Sequence, residues 1–209
     1  MLLGINSPAQ NNYNLHIRSV DKDSAFLSAA LGLQSFFDSR LSCTDYINKL
    51  PAYLQAKGYV TASIDSLHYD SAFASILLFV GEKYHWAQLD AKKVDPEILN
   101  AVGWNEKQFS EKPMDFVQVK LWEERILDYL ENIGHPFARI SLDSFQIDNE
   151  KVYALLNVQK GPLYKVDSIR VYGNAKISNI YLQRYLDIPN GSIYNKQKLL
   201  GISKKIREL

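Results

Sequence analysis

One cysteine, Cys43, stands in a chain of 209 residues. A single thiol excludes an internal disulfide, so cysteine usage leaves the redox compartment open. The chain also lacks long apolar runs, and no stretch approaches the ~20 residues of a membrane-spanning helix. Met1-Leu2-Leu3-Gly4-Ile5 has neither the basic start nor the apolar length of a signal peptide, so an exported form has already lost its signal. The net charge of +1 gives no reason to expect nucleic acid as a partner. Four histidines are present, His16, His68, His85 and His135, and none stands at HxxxH or HExxH spacing. There is no GxSxG, no phosphate-cradling glycine loop and no cysteine pair. The expectation is therefore no metal, no cofactor and no catalytic site.

What remains of the polar and aromatic residues has plain structural readings. Glu123, Glu124 and Glu131 fall on the solvated side of a helix. Trp86, Trp104 and Trp122 read as core. Lys204, Lys205 and Arg207 lie opposite the apolar stripe of the last helix. Cys43 reads as a buried thiol.

Hydrophobic content of 46% with 22% charged residues is that of a folded domain. The organising feature is a corner that occurs twice. Leu54-Gln55-Ala56-Lys57-Gly58-Tyr59 reads as a helix end, a glycine stop and the entry to a strand. Leu130 to Phe137, with Gly134 at the stop, repeats it with two residues inserted. Repetition of a supersecondary unit makes the chain a tandem array. Tyr84 and Tyr164, each in a Gly-x-x-Tyr junction (Gly81 to Tyr84, Gly161 to Tyr164), stand 80 residues apart and give the period.

Residues 1–12 read as a loose tail. The first repeat, 13–82, has a strand from Tyr13 to Val20, a short helix carrying Phe26, Leu27, Ala30 and Leu31, and a helix from about Thr44 to Lys57. Pro51 is expected to kink that helix or delay its start. Val60, Ala62 and Ile64 then alternate with Thr61, Ser63 and Asp65, and the apolar run Ala72 to Val80 suits a central strand buried on both faces. The second repeat, 83–162, follows the same order. Asp95-Pro96 starts a short helix and Asp115 starts the long helix to Ile133. Ala138, Ile140 and Leu142 alternate with Arg139, Ser141 and Asp143, and Val152 to Val158 returns. Residues 163–209 open a third copy. Val166, Ile169 and Val171 suggest its strand, while Ser178 and Asn195 start its helices. The closing hairpin is absent, so the apolar faces of this part require cover from elsewhere.

A β-α-α-β-β unit of this period, with its Leu-x-x-x-Gly-Tyr/Phe corner at Leu54, Gly58 and Tyr59 and at Leu130, Gly134 and Phe137, resembles the POTRA (polypeptide-transport-associated) domain. Ile169 to Asn174, a helix, then Pro189 to Tyr194 and a second helix look most like that family. The resemblance implies an α+β fold of tandem POTRA-like modules, each a three-stranded mixed sheet covered by two helices. It implies a place on the periplasmic side of the bacterial outer membrane, in front of a C-terminal β-barrel expected beyond this chain, in the family that includes BamA and TamA. It also implies partners: unfolded outer-membrane proteins and accessory lipoproteins.

Such a sheet has open edges, and an edge can accept an extended peptide through main-chain hydrogen bonds. The candidate edge residues are Thr61, Ser63 and Asp65 in the first repeat and Arg139, Ser141 and Asp143 in the second. Two functions fit. One is a periplasmic binding scaffold for barrel assembly or transport. The other is an accessory part of a larger barrel-fused enzyme, such as a lipase, whose catalytic domain lies outside this chain.

Overall fold

A computed structural model describes residues 12–173 and 176–209. The reading of 1–12 as a tail falls, but for Asn12, outside the described residues. By its contacts the chain forms two compact units. One holds the described residues up to Trp86 together with Glu111–Phe116 and Asp148–Val152. The other holds Ala87–Ser110, Val117–Ile147 and Tyr153–Leu209.

The first sheet contains β1 (Tyr13–Ser19), β2 (Phe36–Phe37), β3 (Ser63–Tyr69) and β4 (Phe73–Phe79) in the order β2-β1-β4-β3. β1 runs parallel to β4, and β3 and β2 run antiparallel to their neighbours. The sheet is therefore mixed, as expected, but four-stranded: the two-residue β2 adds to the three long strands. β4 is the central strand. Ala74, Ile76 and Leu78 are buried on one of its faces, whereas Phe73, Ser75, Leu77 and Phe79 are only half-buried on the other, so burial on both faces is not complete.

α1 (Arg40–Ala56) covers the buried face through Cys43, Ile47, Leu50 and Leu54, spaced by four, three and four residues as one helical stripe requires. It starts earlier than the apolar pattern suggests. Ser39 and Ser42 cap each other reciprocally, the Ser42 amide donating to Ser39 Oγ at 3.1 Å and the Ser39 amide to Ser42 Oγ at 3.2 Å. The helix continues through Pro51. The expected short helix is a five-residue π-helical turn, Phe26–Ala30, with Leu27 buried.

The second sheet repeats the order with β5 (His85–Asp90), β6 (Lys112–Pro113), β7 (Arg139–Asp148) and β8 (Lys151–Gln159) as β6-β5-β8-β7. α2 (Pro96–Val102) begins at Asp95, whose carboxylate accepts from the Glu97 amide at 3.0 Å. α3 (Phe116–Asn132) buries Val119, Ile126 and Leu130. Ile98, Val102, Ile126, Leu130 and Leu156 join in one core, with Trp104 and Trp122 packed against it edge to face. Trp86 is fully buried, so the three tryptophans serve packing.

The corner has one construction in both repeats. The Tyr59 amide donates to the Leu54 carbonyl at 3.0 Å, and the His135 amide to the Leu130 carbonyl at 2.9 Å. These are the bonds that close a helix around a left-handed residue, and Gly58 and Gly134 have φ of 98° and 105°. The glycine carbonyl then accepts from the next junction tyrosine, Tyr84 N–H to Gly58 O at 2.9 Å and Tyr164 N–H to Gly134 O at 2.8 Å. The tyrosine carbonyl is used in turn, by Met114 N–H in one case and Tyr194 N–H in the other, both at 2.9 Å.

After Tyr164 the expected strand through Val166, Ile169 and Val171 does not form. Lys165 makes a single bridge with Ile193, and the Val166 amide donates to the Ser192 carbonyl at 2.8 Å. α4 (Asn179–Leu186) and α5 (Lys196–Arg207) are capped by Ser178 and Asn195 as expected. The start of α5 is tied to the end of α3. Asn195 Nδ2 donates to the Asn132 carbonyl at 2.8 Å, and Lys196 pairs with Asp128 and Glu131 at 2.7 and 2.5 Å. Those contacts, with Leu163 and Ile193 against Gly134, tie the segment to the second repeat, while Ile206 and Leu209 on its last apolar stripe stay 45% and 51% exposed.

A Cβ on Gly58 would lie 2.5 Å from the Tyr84 carbonyl oxygen, whereas one on Gly103, also left-handed at φ 69°, would meet nothing within 4 Å. Gly103→Ala is thus expected to cost about 1 kcal/mol, the conformational penalty alone, and Gly58→Ala about 2 kcal/mol or more. Urea unfolding of the two variants checks the ranking; equal losses would contradict the seat at Gly58.

Candidate functional site

The strand that follows each corner lies at the open end of its sheet. Among the described residues β3 pairs only with β4, and β7 is the terminal strand of the second sheet. These edges contain five of the six candidate residues. Ser63 and Asp65 lie in β3, and Arg139, Ser141 and Asp143 in β7. Thr61 lies in the turn before β3, its side chain against Gly81.

The side chains on these strands bond locally. Ser63 Oγ donates to Asp65 Oδ1 at 2.8 Å, and Ser141 Oγ to Asp143 Oδ1 at 3.3 Å. Asp143 also accepts from Asn157 Nδ2 at 2.9 Å. The β3–β4 register shifts between Ile64 and Ser66, which leaves Asp65 as the extra residue of a β-bulge. In β7, Ser144 has a left-handed φ of 56°, one residue along in the corresponding place. Simple alternation through Val60, Ala62 and Ile64 would carry the inward face to positions 66 and 68. The bulge transfers it to Leu67 and Tyr69, which pair with the core-facing Ile76 and Ala74. The signal was in the sequence: Ser63-Ile64-Asp65-Ser66-Leu67 and Ser141-Leu142-Asp143-Ser144-Phe145 share a Ser-apolar-Asp-Ser-apolar pattern.

The central strand that supports β3 is held at its exit by Asp21. Its carboxylate accepts from the amides of Val80 and Gly81 at 3.0 and 2.9 Å and from Ser19 Oγ at 3.0 Å. Burial acts to raise its pKa. The two amides, the hydroxyl and nearby Lys22 outweigh that effect and hold the carboxyl below its ordinary value.

Two of the four histidines have structural partners. His16 stacks on Phe73, and His135 Nδ1 lies 3.2 Å from the Gly161 carbonyl. Burial pushes the Cys43 thiol up, away from a reactive thiolate. Among the described residues no three His, Cys, Asp or Glu side chains are grouped as a metal would need. What the site offers is main chain along two strand edges.

No protein-family model matches the chain. Among solved structures it is similar to POTRA domains 3–5 of BamA from Haemophilus influenzae, at 14% identity over 98% of this chain and 89% of that one, with a TM-score of 0.55. The repeats have the POTRA fold. The N-terminal domain of Omp85 from Thermosynechococcus elongatus also matches, at 11% identity over 92% of this chain and 83% of that one, with a TM-score of 0.36. POTRA domains 1–3 of the periplasmic domain of Omp85 from Anabaena match at 10% identity over 94% of this chain and 83% of that one, again at 0.36. The fold rests on the likeness to the BamA domains.

Asp21 gives a test of how the central strand is held. Its folded-state pKa lies below the unfolded value, so its stabilisation is full above about pH 4 and is lost as pH falls through the lowered value. Asp21→Ala is expected to destabilise by about 1–3 kcal/mol at pH 7, with the deficit shrinking near pH 2. Urea unfolding at the two pH values checks this; a deficit independent of pH would contradict it.

Proposed function

We propose that this chain is a periplasmic binding scaffold of an outer-membrane assembly or translocation protein, with modules at 13–82, 83–162 and 163–209 preceding a membrane barrel. It receives unfolded barrel proteins, or docks accessory lipoproteins, by adding their extended segments to β3 and β7. The observation that carries this reading is that, among the described residues, both repeats leave the same strand, the one after the glycine corner, with a free edge. Pairing through main-chain groups demands little of the guest's sequence, which suits a receiver of many clients. The POTRA fold supports the setting, since domains of this fold occur in BamA and Omp85. Chemistry is not assigned to the chain itself.

Titration of the isotopically labelled protein with short synthetic peptides of alternating apolar and polar residues should shift amides of β3 and β7. Affinity should be weak, in the range of about 0.1–1 mM, and nearly equal among peptides that keep the alternation. Shifts confined to side-chain surfaces such as that around His16 and Phe73, or no shifts at millimolar peptide, would overturn the reading.

A further inference from the structure

Each edge strand is divided into two unlike halves, β3 by its bulge and β7 at the left-handed Ser144. The first half carries the Ser-x-Asp pair, bonded within its own strand at 2.8 Å in β3 and 3.3 Å in β7. It ends where the β3 ladder shifts and where Ser144 turns left-handed. A bulge breaks the even spacing of main-chain donors and acceptors and sharpens the local twist. A carboxylate at the same point adds an unpaired charge to any strand laid across it. Both are devices that close an edge to pairing.

The second half has the opposite character. Leu67 is 42% exposed although its ladder partner Ile76 belongs to the core, and Tyr69 follows two residues on. In β7, Phe145 and Ile147 are 48% and 63% exposed, again two residues apart. Apolar side chains at alternate positions beside free main-chain groups are the unfinished side of a sheet. They mark a place suited to another strand, which meets both the hydrogen-bond spacing and the two-residue repeat.

We propose, on the strand-addition reading above, that the guest segment seats after the bulge in β3, beside Ser66 to Tyr69, and after the left-handed Ser144 in β7, beside Phe145 to Ile147. The Ser-x-Asp halves, with Ser63, Asp65, Arg139, Ser141 and Asp143, are closed to it. The guest is an extended segment with uncharged apolar side chains at alternate positions, which pack on Leu67 and Tyr69 or on Phe145 and Ile147. The footprint is thus three to four residues per edge, and weak binding follows from its shortness.

The test uses the whole 209-residue chain and a synthetic peptide of alternating valine and threonine. Amides of 66–69 and 145–147 should shift while those of 63–65 and 139–143 stay in place. A Leu67→Ser, Phe145→Ser double variant should bind about five-fold more weakly. Ser63→Ala with Ser141→Ala should bind as the parent does. All four side chains are on strand edges, and a thermal melt of each variant establishes that it is folded. Shifts centred on 63–65 and 139–143, or full affinity in the folded Leu67→Ser, Phe145→Ser protein, would overturn this footprint and leave strand addition standing. An absence of shifts along both edges would remove strand addition itself.

Discussion

The carbonyl of the helix-stop glycine is the acceptor on which both repeats turn. A helix must end there in a left-handed residue, and the leucine carbonyl upstream is satisfied by the residue just beyond. That leaves the carbonyls of Gly58 and Gly134 facing outward, and each is taken by the amide of a tyrosine that the chain brings back after a hairpin. The close approach is possible because a glycine stands there: a side chain on Gly58 would collide with the Tyr84 carbonyl, and one on Gly134 with Leu163 and Ile193. The hairpins differ in length, with β3 and β4 of seven residues each and β7 and β8 of ten and nine, yet both return to the same bond. The joint constrains the architecture; strand length is free to vary around it.

Much of this was legible in the sequence because it is written in local chemistry. The glycine stops, the Asp95, Ser178 and Asn195 caps and the stripes of α1 and α3 each depend on residues a few positions apart. What escaped depends on partners far along the chain or on geometry with no dedicated residue type. The Ser39–Ser42 box uses serine where glutamate or glutamine is usual, so the apolar pattern places the start of α1 four residues late. The short β2 and β6 exist only because β1 and β5 offer an edge. The segment after Tyr164 has the apolar residues of a strand but makes a single bridge, since a strand needs a neighbour as well as a pattern. Lys196 is held above its ordinary pKa by hydrogen bonds to Asp128 and then Glu131, two carboxylates that sequence spacing alone does not place near it.

The candidate site was legible as an edge and illegible in its phase. Alternation from the corner onward places Thr61, Ser63 and Asp65 together and misses that the strand begins only at Ser63. It also carries the parity past Asp65, where the bulge reverses it. A one-residue irregularity exchanges the two faces of everything beyond it. The cue was the recurrence of Ser-x-Asp-Ser at matching places after both corners, since a repeated polar motif inside a strand marks a repeated departure from regular pairing.

That motif also bears on how copies of the protein treat one another. An antiparallel meeting of β3 with β3 of a second molecule, centred on the motif, would set Asp65 beside its own image, and β7 would do the same with Asp143. Two carboxylates brought together as the edge dries repel, and each already spends part of its hydrogen-bonding capacity on its own serine. Homotypic edge-to-edge stacking, the first step toward a fibre, is therefore disfavoured by the residues that interrupt the ladder. A strand exposed enough to recruit others is kept from recruiting itself.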